Sequence, residues 1–215
     1  MFERLFKSKF RVELGLVLIA IIFIAFLYAV NINPSGGARG DLKNYHYPSY
    51  LIFKEQSFVD AMTNQESASG PLCYAFLSFF NIEKYHLRII GSFLLLLSVF
   101  LFKKYLESNL NFTASSLIAF SLLINPFVLG PAIWGNPDIL SLLFVLTALN
   151  IFDKKTNYIS LWLGSVMFAM AVLTRQSSLT FGIIFAALIY ANSIGGFDAI
   201  KKNGYHGVWI QSRAS

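Results

Sequence analysis

Three short polar stretches carry the side chains of this sequence that could do chemistry. The first, Gly40 to Pro48, supplies a carboxylate and an imidazole from Asp41 and His46, together with several phenols. The second ends in Asp138, and the third contains Arg175. A carboxylate can act as a general base, and an arginine can hold an anion such as a phosphate through charge-assisted hydrogen bonds. The sequence thus contains a candidate base and a candidate anion ligand.

The composition indicates the environment in which these groups work. Of 215 residues, 56% are hydrophobic and 13% are charged, with a mean hydropathy of +0.60, which is typical of an integral membrane protein. The net charge of +6 comes from basic residues that lie in short clusters between apolar runs, so positive-inside topology explains it better than nucleic-acid binding. The single Cys73 excludes an intramolecular disulfide and gives no metal-ligand spacing.

Six apolar runs predict an all-α, polytopic transmembrane bundle that forms a single membrane domain. A basic flank places the N-terminus in the cytoplasm, in a bacterial inner or plasma membrane, and three lysine pairs then fall on the same side. The long first outer loop, 31–86, is expected to contain juxtamembrane helices, including one within 71–80, and the tail 194–215 is cytoplasmic. All three polar stretches lie on the outer face. The predicted spans are about 12–30, 87–102, 114–130, 139–152, 158–173 and 177–193.

The order and sidedness of these motifs resemble a known family. Asp41 opens an Asp-x-x-x-Tyr-His-x-Pro run, Gly70-Pro71-Leu72-Cys73-Tyr74 starts a short helix, Asn136-Pro137-Asp138 ends an outer turn, and Thr174-Arg175-Gln176 follows the fifth span. This layout, over roughly 12–193, resembles the C superfamily of membrane glycosyltransferases. It is most similar to the dolichyl-phosphate-glucose glucosyltransferases, and bacterial aminoarabinose and mannose transferases share it.

Two departures from the family pattern qualify the resemblance. Leu42 follows Asp41 where many relatives have a second acidic residue, and relatives have many more spans. The chain therefore looks like the N-terminal portion of a transferase.

The resemblance implies an inverting transfer of a sugar from a polyprenyl-phosphate donor to a hydroxyl group of a lipid or glycan acceptor on the outer side of the membrane. Asp41 would be the base and Asp138 the second carboxylate, while Arg175 would hold the phosphate. Membrane lipids and the lipid-linked donor are the expected partners, and nucleic acid is not. The residues implied to bind substrate are His46, Tyr45, Trp134, Arg175 and Gln176.

Each of these residues also has a plain structural interpretation. Asp41 could be a solvated loop residue at the start of a helix, Asp138 a helix cap, and Arg175 a helix-end arginine whose side chain reaches the lipid headgroups. For Trp134, an interfacial position is favoured over a sugar-stacking platform. Tyr45 and His46 could instead anchor an interfacial helix.

The cofactor and the activity also have alternatives. No cofactor is required, although Asp41, His46 and Asp138 could share a divalent metal ion if they were folded together. A carrier or flippase for a lipid-linked sugar, and a non-catalytic fragment or assembly subunit, are the alternatives to an enzyme.

Overall fold

The computed structural model describes residues 2–29, 38–65, 69–79, 84–153 and 158–193. Within these ranges all regular structure is helical, and no strand is present. The all-α prediction is therefore confirmed for the described part of the chain. The predicted tail, 194–215, lies outside it.

The helices follow one another with short connections. A π-helical turn over Leu42–His46 joins the second and third α-helices, and 3₁₀ segments over Ser121–Leu123 and Gln176–Thr180 precede the eighth and eleventh. The α-helices are α1 (Phe2–Ala29), α2 (Ala38–Asp41), α3 (Tyr47–Glu55), α4 (Phe58–Asn64), α5 (Leu72–Ser78), α6 (Lys84–Leu106), α7 (Phe112–Phe120), α8 (Pro126–Trp134), α9 (Pro137–Phe152), α10 (Tyr158–Thr174) and α11 (Phe181–Ser193).

Local sequence explains several helix boundaries. The Asn111 side chain accepts a hydrogen bond from the Ala114 amide at 2.9 Å and caps α7, and Asn125 caps α8 in the same way from Phe127 at 3.0 Å. Gly135, with φ of 66°, ends α8 in the left-handed conformation that glycine adopts without steric cost. Asn136 then precedes the proline that starts α9.

Buried apolar side chains form two clusters, a larger one built mainly from α3, α5, α6, α8 and the start of α9, and a smaller one shared by α9, α10 and α11. Gly91 lets α6 approach α8 closely, since a β-carbon there would overlap the carbonyl oxygen of Ala132. Helices α6 and α9 are parallel, and Asn150 near the end of α9 donates to the Leu101 carbonyl near the end of α6 at 2.9 Å. Helix α10 returns antiparallel to α9, because Ser141 near the start of α9 donates to the Ala171 carbonyl near the end of α10 at 3.0 Å.

The bundle has two polar ends of different character. At one end, the buried Lys103 ammonium pairs with Glu13 of α1 at 2.6 Å and with Glu107 at 2.9 Å, and it lies 4.5 Å from the Phe112 ring centre. The two carboxylates offset the cost of burying this lysine and tie α1 to α6. The opposite end collects all three polar stretches, because α6 and α9 begin there and α10 ends there.

The length and composition of the helices support fewer spans than the six predicted. Among the described residues, one helix, His86–Leu106, is long and apolar enough to cross a membrane. A second span results if Phe112–Leu123 and Pro126–Trp134, which are bent by 58° relative to each other, are counted together. The other apolar stretches that meet the composition test have 10 to 17 residues, including Val12–Ala25 within the longer α1, so the six-span bundle stays a prediction.

The helix bounds also differ from the predicted runs in three places. The run 114–130 is not one straight helix, because Asn125 and Pro126 break it and start α8. The predicted outer turn, 130–138, is mostly helical, and only Gly135 and Asn136 form the turn. The predicted helix within 71–80 is present as α5, whereas the run 177–193 begins as a 3₁₀ segment.

Candidate functional site

Arg175 lies at the centre of the polar end of the bundle. It follows the last residue of α10, and its Nε lies 2.9 Å from the Asp138 carboxylate at the start of α9. Its Nη1 donates to the Ser69 hydroxyl at 3.0 Å. The side chains of Arg175 and Asp138 remain 35% and 34% exposed. The guanidinium group is therefore held by two partners and is still accessible to a ligand.

A close backbone contact places Ser69 against Arg175. The Gly70 amide donates to the Thr174 carbonyl at 3.0 Å, and both residues are buried. A β-carbon at position 70 would overlap the Leu173 carbonyl oxygen. Only glycine permits this approach, so the segment at 69–70 and the end of α10 form one local unit.

His46 is buried at the end of the π-helical turn. Its Nδ1 is hydrogen-bonded to the Tyr74 hydroxyl of α5 at 2.7 Å, and the two rings are stacked. Burial, together with the positive charge of Arg175, lowers the pKa of His46 from 6.5 to about 4. The imidazole is therefore neutral near pH 7, and the charge effect shows that it lies near Arg175.

Asp138 responds to both neighbouring charges. Burial raises the pKa of its carboxyl group, Arg175 and a backbone hydrogen bond oppose that shift, and the charge of Asp41 adds to it. Asp41 is exposed at the end of α2, directly before the π-helical turn. The two carboxylates thus interact electrostatically, and only Asp138 is engaged by Arg175 in an ion pair. Asp138 is partly buried and paired, whereas Asp41 is exposed. Two carboxylates in such different environments can take different roles in acid–base chemistry.

Trp134 is buried and lies under two arginine side chains. Its side chain is only 5% exposed, and two guanidinium groups lie over its ring, that of Arg88 at 4.3 Å from the centre and that of Arg39 at 5.5 Å. Arg88 also donates to the Ile133 carbonyl at 3.2 Å. The indole thus joins α2 and α6 to α8, and both the interfacial and the sugar-stacking interpretations stay predictions.

The predicted site residues are partly brought together. Asp41, His46, Asp138 and Arg175 lie at the same end and are linked by contacts or by electrostatic interaction. Tyr45 is 53% exposed on the π-helical turn, and Gln176 is exposed at the start of its 3₁₀ segment. Although Tyr45 precedes His46 and Gln176 follows Arg175 in the chain, neither side chain forms a hydrogen bond or ion pair with the four residues. Sequence reasoning missed Ser69, Tyr74 and Arg39. The signal for Ser69 was the adjacent Gly70-Pro71, a pair that marks a turn, where a glycine can let two backbone segments approach.

The shared metal site left open by the sequence is not formed. In the described ranges, no three His, Cys, Asp or Glu side chains gather in a group that could hold a metal ion. Cys73 is fully buried near Asp138, and burial together with that charge raises its pKa to about 12. It therefore stays a protonated packing residue.

Comparison with known proteins adds no relative. No protein-family model, no curated protein and no solved structure matches this chain.

The buried His46 predicts a loss of stability in acid. Between pH 6.5 and about 4 the unfolded chain binds a proton that the folded chain excludes, so stability present above pH 6.5 falls as the pH is lowered. Acidification from pH 6.5 to pH 5 should cost about 1.5 kcal/mol through this residue. Unfolding measured at both pH values should show the loss in wild type and not in His46→Gln. An equal loss in both proteins would show that His46 is not the cause. Measurements at pH 8, where His46 is neutral in the folded and unfolded states, provide the reference.

Proposed function

We propose that this chain is a membrane glycosyltransferase, or the N-terminal portion of one, that takes sugar from a polyprenyl-phosphate donor. The observation that carries the proposal is the partly exposed Arg175, held by Asp138 and Ser69, together with a second, exposed carboxylate, Asp41, whose charge acts on Asp138. An accessible cation next to an accessible base is the arrangement that transfer from a phosphate leaving group requires.

In the proposed reaction, an acceptor hydroxyl oxygen attacks the anomeric carbon of the sugar from the side opposite the phosphate. Asp41 takes the hydroxyl proton as the new C–O bond forms. The bond from the anomeric carbon to the phosphate oxygen breaks at the same time, and its electron pair leaves with the phosphate. Arg175 stabilises the negative charge on that group, and the configuration at the anomeric carbon is inverted.

The membrane arrangement we propose is the six-span bundle with the site on the outer side of a bacterial inner or plasma membrane. Its support is the sequence of apolar runs, the lysine pairs, and the large apolar side chains exposed around the bundle, such as Trp162 at 66% and Ile183 at 81%. Such side chains suit contact with lipid better than contact with water. The apolar part of the donor would lie along this surface, with its phosphate at Arg175.

Purified protein in lipid nanodiscs should transfer sugar from at least one member of a panel of polyprenyl-phosphate sugars to a lipid or glycan acceptor. Arg175→Lys keeps the charge and loses the planar pair of donors, so kcat/KM should fall roughly 10- to 100-fold through the loss of a charge-assisted hydrogen bond. Lys104→Arg is the control. Lys104 is exposed in the last turn of α6, at the opposite end of the bundle from Arg175, and the change should leave activity intact.

Two results would count against the proposal. Full activity in Arg175→Lys would exclude bidentate phosphate binding by this residue. Absence of transfer by the wild-type chain with every donor would favour a non-catalytic fragment or assembly subunit.

A further inference from the structure

A buried pair of serine hydroxyl groups lies behind the ion pair between Arg175 and Asp138. Ser141 of α9 and Ser178 of the 3₁₀ segment Gln176–Thr180 are 2% and 6% exposed, and their Oγ atoms are 2.5 Å apart. Ser141 lies three residues after Asp138, so the two side chains are neighbours on one face of α9. Ser178 lies three residues after Arg175, and its amide donates to the Arg175 carbonyl at 2.9 Å. The same two segments are therefore joined twice, by a partly exposed ion pair and by a buried pair of serines.

The hydrogen bonds of the two serines run in one direction. Ser141 Oγ donates to the Ala171 carbonyl at 3.0 Å, and a carbonyl group can only accept. Because a serine hydroxyl has a single proton, Ser141 has none left for its partner and accepts from the Ser178 hydroxyl. The Ala171 carbonyl also accepts from the Arg175 amide at 2.9 Å. The hydrogen bonds thus run from Ser178 through Ser141 to Ala171, where they meet the backbone of Arg175.

Ser141 consequently holds the chain on both sides of Arg175. One of its partners, Ala171, lies four residues before the arginine, and the other, Ser178, lies three residues after it. Arg175 itself has an extended backbone where α10 ends, so its position depends on the contacts of its neighbours in the chain. An ion pair between groups as exposed as those of Arg175 and Asp138 contributes little stability by itself. The buried serines therefore fix the backbone that carries the guanidinium group.

We propose that Ser141 and Ser178 are positioning residues of the Arg175 site, because their hydrogen bonds determine where the guanidinium group lies relative to Asp138. Their effect on sugar transfer rests on the proposed function, in which Arg175 holds the donor phosphate. The placement of Arg175, in contrast, can be measured without any ligand.

Ser178→Ala is the variant that tests the positioning role. It removes the first donor of the series and keeps the bond from Ser141 to Ala171, so no buried donor loses its acceptor. The full chain in lipid nanodiscs is treated with phenylglyoxal, which modifies guanidinium groups, and the rate at each arginine is measured by mass spectrometry. A guanidinium group that leaves its ion pair reacts faster, so the rate at Arg175 should rise roughly fivefold.

Two other arginines of the same protein report general loosening of the fold. Arg88 lies over the Trp134 ring at 4.3 Å, and Arg39 is exposed. Their rates should stay as they are in the parent protein. Ser98→Ala is the matched control, because Ser98 is also buried and its hydroxyl donates to the Leu94 carbonyl within its own helix at 2.8 Å. This change should leave the rates at all three arginines unaltered.

The proposal is overturned if Ser178→Ala leaves the Arg175 rate unchanged. It is also overturned if the Arg88 rate rises by the same factor, which would show that the serines only stabilise the bundle as a whole.

The transfer assay gives a second readout. Ser178→Ala should lower kcat/KM about tenfold or more, and it should cost nothing further when it is added to Arg175→Ala, because it acts through that arginine. Additive losses would contradict the positioning role. If the wild-type chain transfers no sugar while the Arg175 rate still rises in Ser178→Ala, the proposed function fails and the positioning role is supported.

Discussion

Asp41→Asn should keep donor binding and lose turnover by about 10²- to 10⁴-fold, the contribution typical of a positioned general base. The amide has nearly the same size as the carboxylate and cannot accept the hydroxyl proton. Because Asp41 is exposed, the change should leave the fold intact. The measurement is single-turnover transfer from the active donor, alongside equilibrium binding of the same donor.

Glu55→Gln is the matched control, since Glu55 is an exposed carboxylate at the end of α3 and should be dispensable. Unchanged transfer in Asp41→Asn would remove Asp41 as the base. Donor movement across the membrane that persists in Asp41→Asn, without transfer in either protein, would favour a carrier for a lipid-linked sugar.

Gly70→Ala is expected to destabilise the protein by about 3 kcal/mol or more, the upper part of the range for overpacking a closed contact. The added methyl group would overlap the Leu173 carbonyl, which is backbone and cannot turn aside. Relief of the overlap requires loss of the Gly70–Thr174 hydrogen bond and separation of Ser69 from Arg175.

The measurement is the midpoint of unfolding in detergent, with donor affinity as a second readout. Gly15→Ala is the control, because a β-carbon on this helical glycine meets nothing within 4 Å, and alanine favours the helix by roughly 1 kcal/mol over glycine. A Gly70→Ala protein as stable as wild type would show that the 69–70 segment does not hold Arg175 in place.

Helices and the general location of the site could be predicted from the sequence. The apolar runs predicted where helices form. An apolar segment that is buried in protein or lipid must satisfy its own backbone hydrogen bonds, and a helix does so within the segment. Counting the apolar runs predicted one shared end of the bundle for Asp41, Asp138 and Arg175. In the structure these three residues lie at the same end.

The pairing within the site could not be predicted. The choice of Asp138 rather than Asp41 as the partner of Arg175 depends on how α9 and α10 pack, and no local pattern encodes it. The stacking of Arg39 and Arg88 on Trp134 likewise joins residues far apart in the sequence. The break at Asn125 was present in the sequence as an Asn-Pro pair, but the apolar residues around it favoured one continuous helix.

The π-helical turn at Leu42–His46 rotates Asp41 around the helix axis relative to α3, compared with an uninterrupted α-helix. The Tyr47 amide reaches back five residues to the Leu42 carbonyl, which is one residue more than an α-helical turn contains. One residue corresponds to about 100° of rotation around a helix axis. His46 is fixed by its hydrogen bond to Tyr74. The extra residue in the turn therefore determines the direction of Asp41, the candidate base, around the helix axis relative to His46.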